Sequence, residues 1–144
     1  MKKNLTILVC LCLLCALAAG CSGKSADTGD FIDLTALSDT LRIAELTNIT
    51  QSPARYEGKT IRLGGVYQAN YYELTEKYYH FILVQDAAAC CAQGLEFEWS
   101  GEHAYPDDYP EEGAAIELTG VFEGFEELGR TWYRLAVDQV TLAG

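Results

Sequence analysis

Two adjacent cysteines, Cys90 and Cys91, carry the most versatile chemistry in this 144-residue chain, because a thiolate can act as a nucleophile, a metal ligand or half of a disulfide. Side chains of the types that join cysteine in zinc sites flank the pair in sequence: His80, Asp86, Glu96, Glu98 and His103. Zinc prefers thiolate, imidazole and carboxylate ligands in a tetrahedron. One hypothesis is therefore a zinc site with the tentative ligands Cys90, Cys91, His80, His103 and Asp86.

Two other interpretations of the cysteine pair stay open. Adjacent cysteines can close into a strained vicinal disulfide, which outside the cytoplasm would act as a redox switch. Alternatively, one cysteine packs as a small apolar residue and the other covers the end of a barrel. No spacing motif such as Cys-x2-Cys decides among the three. Adjacent side chains on an extended strand also point to opposite faces, so joint ligation of one ion requires a turn.

Tyrosines form the second candidate feature. The predicted ligand face crowds the first predicted hairpin and consists of Tyr67, Tyr71, Tyr72 and Tyr79. Aromatic faces there would stack on a sugar, a base or a peptide, whereas the alternative is ordinary strand packing with a wet hydroxyl. Base stacking normally comes with a positive groove, and here Glu73 and Glu76 oppose Lys77. We therefore expect no nucleic-acid partner.

No catalytic constellation is complete in the sequence. A thiol–imidazole pair can be drawn from the cysteines and histidines above, but no orienting residue or oxyanion site accompanies it. Carboxylates are so abundant that their pairing is not a sign of a site, and no phosphate-binding glycine loop is present. We expect a protein that is not an enzyme.

The N-terminus has the three parts of a bacterial signal peptide. Two lysines lie within Met1–Asn4, an apolar run covers Leu5–Ala19, and small residues precede Cys21. The segment Leu17–Cys21, LAAGC, resembles a lipobox, the pattern of bacterial lipoproteins whose cysteine after the cleavage site carries a diacylglyceryl group. The resemblance implies lipidation at Cys21, with palmitate-type acyl chains, and a location on the extracytoplasmic face of the cell membrane. Two or three acyl chains suffice for stable anchoring.

The predicted mature chain is strongly acidic. Without residues 1–20, the signal peptide, it keeps eight Lys and Arg against twenty-one Asp and Glu, a formal charge of −13. Such a surface repels nucleic acid and anionic headgroups. Residues 21–30 are predicted to be a flexible tether because they are rich in Gly, Ser and Asp. Residues 31–144 are predicted to form one domain, with its barrel at about 56–142.

The hydrophobic pattern predicts one helix followed by β-structure. Apolar spacing favours a helix over Ser38–Gln51. Five strands are predicted, at Thr60–Gln68, Tyr79–Gln85, Leu95–Trp99, Ile116–Glu123 and Thr131–Val140. Gly64 and Gly65 interrupt the first strand, where a sharp bend would let a small barrel close. With a long connection between the third and fourth strands, this pattern predicts a mainly β fold, a five-stranded OB-type Greek-key barrel with a short N-terminal helix.

Local sequence resemblances agree with that fold. The segment Tyr56–Tyr67, YEGKTIRLGGVY, resembles the turn before the first strand of tRNA-anticodon-like OB domains. Asp86–Phe97 and Tyr109–Leu135 resemble OB-fold lipoproteins of Gram-positive gut bacteria. More faintly, they are similar to the C-terminal domain of membrane proteins that accompany predicted two-component permeases, which carry a similar cysteine pair. These families imply the fold and an envelope setting, without an established activity.

Two functions of different class follow from the sequence. The first is a membrane-anchored envelope lipoprotein with a non-enzymatic OB-fold binding module, which holds a metal ion such as zinc or a small ligand at the Cys90–Cys91 loop. The second is a protein–protein interaction or structural domain of an envelope transport complex, with an envelope protein or permease as its partner.

Overall fold

The computed structural model describes residues 30–86 and 91–143. It contains the helix α1 (Asp39–Gln51), a short 3-10 helix (Pro53–Arg55) and the strands β1 (Phe31–Asp33), β2 (Thr60–Tyr72), β3 (Lys77–Gln85), β4 (Ala92–Trp99), β5 (Ala115–Glu127) and β6 (Arg130–Leu142). The predicted helix and five predicted strands are present, and β1, only three residues long, is additional. Within these ranges no helix has the length and apolar character needed to cross a bilayer. The predicted signal peptide, Cys21 and almost all of the predicted tether lie outside the described residues.

Strands β2 to β6 form a closed ring. The order is β2-β3-β4-β6-β5, and β5 pairs back with β2. The pairs in the ring are antiparallel except for β4 and β6, which run parallel. Strand β1 adds to β2 in parallel. In this ring the third strand neighbours the fifth and not the fourth, which is the Greek-key order of an OB-type barrel. The predicted fold class is confirmed.

Strand β2 belongs to both halves of the barrel. Its first half, residues 60–66, pairs with β5, and its second half, residues 66–72, pairs with β3. The change of partner coincides with Gly64 and Gly65, the residues predicted to bend this strand. A Cβ atom at Gly65 would collide with the carbonyl oxygen of Leu83. Glycine therefore permits the close approach of β2 and β3 at this point.

The two ends of the barrel are closed by different elements. Near the start of β4, α1 inserts Leu46 and Ile49, which are both fully buried. At the opposite end, the connection between β4 and β5, residues 100–114, packs Tyr105 and Tyr109 against His80. The long connection predicted between the third and fourth barrel strands therefore covers one end of the core with aromatic side chains.

The β5–β6 hairpin is longer than predicted. Pairing continues to Glu127 and Arg130, and Leu128 and Gly129 form the turn with φ values of 51° and 73°. Positive φ at both positions is typical of a type I′ turn, which matches the twist of a tight hairpin. The tip of this hairpin reaches the outer face of β3, where the hydroxyl of Tyr79 donates a hydrogen bond of 2.8 Å to Glu127. A groove results between the hairpin tip and the barrel wall.

Candidate functional site

The predicted cysteine site lies at the β3–β4 turn, and the structure describes only one of the two cysteines. Cys91 is exposed just before β4, whereas Cys90 lies outside the described residues. The backbone N–H of Asp86 donates to the carbonyl oxygen of Cys91 at 3.1 Å, and the N–H of Cys91 donates to the Asp86 carboxylate at 3.4 Å. Asp86 thus binds the backbone of Cys91. The metal, disulfide and packing interpretations of the pair stay predictions.

The predicted histidine ligands lie far from that turn. His80 precedes Asp86 by six residues along β3, which at about 3.3 Å per residue separates them by about 20 Å. His103 follows β4 and stacks on Trp99 with ring centroids 3.7 Å apart. The predicted ligands are therefore divided between two places, and one ion cannot contact both. Among residues 30–86 and 91–143, no three His, Cys, Asp or Glu side chains converge as metal ligands.

His80 and His103 do share a polar cleft at the barrel end. The cleft has a volume of about 720 Å³, and Glu96 and Glu98 also line it. His103 donates a hydrogen bond of 3.2 Å from Nε2 to the carbonyl oxygen of Ser100. Its imidazole is therefore held by a ring on one side and by the backbone on the other. The fold therefore brings the two histidines and the two glutamates into one cleft. Among the described residues, however, no three of these side chains are placed to bind one metal ion.

His80 belongs to a group of rings that we call the barrel-end cluster, made up of Tyr67, His80, Phe97, Tyr105 and Tyr109. His80 is 8% exposed and stacks on Tyr109 with centroids 3.9 Å apart. Its Nδ1 lies 2.8 Å from the hydroxyl of Tyr67. Burial lowers the pKa of His80 to about 4, so the imidazole is neutral near neutral pH. A buried, neutral and hydrogen-bonded histidine of this kind stabilises the core.

Tyr67 lies in the core and not on the predicted ligand face. It is 1% exposed, because it continues the inward-facing series of Ile61 and Leu63 along β2. Its ring contacts Phe97 and Tyr109. The sequence grouped Tyr67 with the other tyrosines by nearness along the chain, whereas the alternation of a strand decides which face each side chain occupies.

The other three predicted tyrosines line the groove under the hairpin tip, which we call the outer groove. Its volume is about 350 Å³. It is lined by Asn70, Tyr71, Tyr72, Tyr79, Phe81, Glu96, Phe125, Glu127, Leu128 and Trp132. Strands β2, β3 and β4 supply one wall through their outer faces, and the end of the β5–β6 hairpin supplies the other. The chain thus assembles a concave site from segments that are distant in sequence.

Hydrogen bonds to Glu127 hold the two walls of the outer groove at a defined separation. The hydroxyl of Tyr79 on β3 donates to the Glu127 carboxylate at 2.8 Å, and Lys77 approaches the same carboxylate at 3.6 Å. On the hairpin itself, the indole Nε1 of Trp132 donates to the carbonyl oxygen of Glu127 at 3.1 Å. The orientations of Tyr79 and Trp132 are therefore set before any ligand arrives, which reduces the ordering cost of binding.

Glu96 is the unusual polar residue of the outer groove. It is half-buried on the outer face of β4, and burial raises its pKa to about 7, although Arg134 opposes the rise. Arg134 is engaged by other groups, since its guanidinium binds Glu98 at 3.1 Å and Glu123 at 3.0 Å and lies over the ring of Phe125 at 4.4 Å. Perturbed titratable groups in a cleft are candidate functional residues.

The sequence indicated part of this site. It named three tyrosines, and it named Glu96 only as a candidate metal ligand. The groove residues that it missed are Asn70, Phe81, Phe125, Glu127, Leu128 and Trp132. One sequence feature did point to this groove: β3 is apolar on both faces, so its outward-facing Phe81 is expected to pack against another part of the protein. Nothing local showed that the β5–β6 hairpin would supply that cover.

Comparisons with known proteins add little to the OB-type assignment, which rests on the order of the strands in the barrel. No protein-family model matches the sequence, and no curated protein is significantly similar to it. Among solved structures, the SSB domain of a protein from Synechococcus sp. aligns with a TM-score of 0.34 and 18% sequence identity, over 57% of this chain and 92% of that chain. A TM-score at that level carries no argument about function.

Proposed function

We propose that the chain is an extracytoplasmic lipoprotein, anchored through acyl chains on Cys21, whose OB-type barrel is a non-enzymatic module that binds a small ligand in the outer groove. The observation that carries the binding proposal is the set of exposed aromatic side chains around a concave site. Trp132 is 45% exposed and Tyr72 is 51% exposed, and both line the groove. Contiguous exposed aromatic surface in a cleft is characteristic of a binding site.

The position of the groove also favours ligand binding. OB folds bind their ligands on the face of the second and third barrel strands, between the loop after the first strand and the loop between the fourth and fifth. Here those elements are β3, β4, the β2–β3 turn and the β5–β6 turn, and the outer groove lies among them. This support is an analogy at the level of the fold, so it favours a place for the ligand and no particular ligand.

The outer groove supports ligand binding better than the Cys90–Cys91 loop does. Among the described residues, Cys91 has Asp86 beside it but neither histidine within reach. The groove, in contrast, combines depth, aromatic walls and positioned hydrogen bonds. Nucleic acid is a poor fit for it, because Glu96 and Glu127 in its lining would repel phosphates. We propose a binding role and no catalytic one, because the paired hydroxyl and carboxylate of the groove, Tyr79 and Glu127, join its two walls.

The test uses the full-length lipoprotein, extracted from the membrane in a non-ionic detergent. Saturation-transfer NMR against a panel of small metabolites is recorded for the wild type, for Trp132→Ala and for Leu41→Ala. Leu41 is the matched control, because it is an exposed apolar residue on α1, outside the groove. We expect ligands that lose their signal with Trp132→Ala and keep it with Leu41→Ala. Equal binding to all three proteins, or binding of no compound by the wild type, would refute the groove as the ligand site.

Anchoring is checked in the same cells by labelling with an alkynyl fatty acid. The wild-type chain should carry the label and fractionate with membranes, and Cys21→Ser should do neither. Label that persists in Cys21→Ser would show that the lipid is attached elsewhere, and a wild-type chain without label would show that it is not a lipoprotein.

A further inference from the structure

The outer groove has a composition that selects ligands by charge as well as by shape. Six of its lining side chains are aromatic: Tyr71, Tyr72, Tyr79, Phe81, Phe125 and Trp132. Its charged lining residues are both carboxylates, Glu96 and Glu127. We propose that the outer groove binds an organic cation with an alkylated ammonium group, for which Glu96 supplies the balancing charge. This inference rests on the proposed function and names its ligand class.

The aromatic walls favour a soft cation. The face of an aromatic ring is electrostatically negative, and a poorly hydrated ammonium group within about 6 Å of the ring centroid is attracted to it. The methyl groups of an alkylated ammonium ion also bury apolar surface against the rings. Tyr72 and Tyr79 stand edge to face with centroids 6.4 Å apart, so they present ring surfaces in two different directions. A cage of differently oriented rings suits a roughly spherical cation.

The two carboxylates of the groove differ in the partners that they already bind. Glu127 already accepts the Tyr79 hydroxyl and lies 3.6 Å from Lys77. Glu96, by comparison, takes part in no salt bridge with the described residues, and the nearest guanidinium, that of Arg134, is bound to two other glutamates. A half-buried carboxylate without a cationic partner is unfavourable when ionised. A ligand cation in the groove would relieve that cost.

The same lining disfavours other ligand classes. An anion would meet Glu96 and Glu127 in a partly desolvated site, where like charges repel strongly. A calcium or magnesium ion requires six or more oxygen ligands or a largely retained water shell, whereas most of the groove surface is apolar. A neutral apolar molecule would fit the rings but would leave the ionised carboxylate desolvated. An alkylated ammonium ion satisfies the rings and the carboxylate together.

Binding of a cation should depend on pH through Glu96. Its pKa of about 7 in the free protein reflects burial first, then Arg134 of β6, which lowers it, and Glu127 of β5 and Glu98 of β4, which raise it. From β3 it faces Tyr79, whose own pKa is raised by burial, so that its hydroxyl stays neutral. Because the cation prefers ionised Glu96, affinity should fall by about tenfold between pH 8 and pH 6, as protonation removes the charge.

The experiment measures choline binding to the detergent-extracted lipoprotein by isothermal titration and tryptophan fluorescence. The neutral isostere 3,3-dimethylbutan-1-ol is the ligand control, because it has the same shape without the charge. Glu96→Gln removes the groove carboxylate. Glu73→Gln is its matched control, because Glu73 is exposed in the β2–β3 turn and outside the groove lining. Each variant removes one carboxyl group and keeps a side chain of the same shape.

We expect choline to bind wild type and Glu73→Gln alike, with the neutral isostere at least tenfold weaker. Glu96→Gln should lose about tenfold in choline affinity and should lose the pH dependence, while its affinity for the isostere stays the same or rises. Equal affinity of the wild type for choline and the isostere would overturn the cation inference and leave a small-ligand groove in place. Absence of choline binding would also overturn it, whereas the proposed function fails only if the metabolite panel finds no groove-dependent ligand.

Discussion

The barrel-end cluster and the outer groove each hold, among aromatic rings, an ionisable side chain whose pKa is strongly shifted: His80 in the cluster and Glu96 in the groove. Burial favours the neutral form in both, since it lowers the pKa of His80 to about 4 and raises that of Glu96 to about 7. The two differ in what satisfies the polar atoms. His80 binds the hydroxyl of Tyr67 and is covered by Tyr109, whereas Glu96 lines an open groove. A shifted pKa alone therefore does not distinguish a core residue from a binding-site residue. The distinction comes from Glu96 lining an open groove and forming no salt bridge with the described residues, whereas His80 is buried and hydrogen-bonded.

The largest difference between the two regions should appear on truncation of one tyrosine from each. Tyr67→Ala removes a fully buried ring, which should lower the free energy of unfolding by about 3–5 kcal/mol. Tyr72→Ala removes a ring that is half exposed, which should cost less than about 1 kcal/mol. Urea unfolding followed by tryptophan fluorescence measures both. Similar losses for the two variants would mean that the outer groove contributes to the core and is not an open site.

The second difference concerns acid. The pKa of His80 is lowered in the folded state from its ordinary 6.5 to about 4, so the unfolded chain binds a proton first as pH falls. Stability should therefore drop between pH 6.5 and pH 4, by up to about 3 kcal/mol from this residue. His80→Gln keeps a polar group beside Tyr67 but does not titrate, and its stability should decline less over this range. An unchanged pH profile in His80→Gln would show that other groups cause the acid sensitivity.

The smallest expected effect is on Glu96, and it has the opposite sign. Its pKa is raised from 4.5 to about 7 in the folded state, so the folded chain binds the proton first and gains stability as pH falls through this range. Glu96→Gln should therefore be more stable than the wild type at pH 8, by about 1 kcal/mol after allowance for solvent screening, and equal to it near pH 4.5. Thermal unfolding at both pH values is the measurement. Glu73→Gln should differ at neither pH, and an equal gain in both variants would indicate a general charge effect.

Prediction from the sequence was strongest where the signal is local. Short runs of β-type residues located all five barrel strands, with clear alternation in Leu95–Trp99, and apolar spacing located α1. The glycine pair in β2 was singled out because a missing Cβ has a direct steric meaning, and at Gly65 a Cβ would indeed collide with the carbonyl oxygen of Leu83. Prediction was weaker for the ends of β5 and β6, because the glycines between the two predicted strands, Gly124 and Gly129, do not end the pairing: Gly129 is one of two turn residues in a continuous hairpin.

The candidate site was predicted less well than the fold. Tyr67 was assigned to the ligand face, but strand alternation places it in the core. The proposed ligand set combined His80 with Asp86 because they are near in sequence, whereas an extended strand moves residues apart by about 3.3 Å per residue. Trp132 and Phe125 were absent from the predicted ligand face, because no local pattern says which distant strand will face the outer surface of β3.

Residue type and short-range spacing are enough to give the acidic character of the chain, its β-rich pattern, the position of α1 and the glycine pair in β2. The tertiary structure alone decided which aromatic residues are core and which are exposed, and it brought Glu96 of β4 together with Trp132 of β6. These neighbours meet because the barrel closes. Pairing in the order β2-β3-β4-β6-β5 brings strands remote in the chain into contact. The aromatic surroundings of Glu96 result from those contacts.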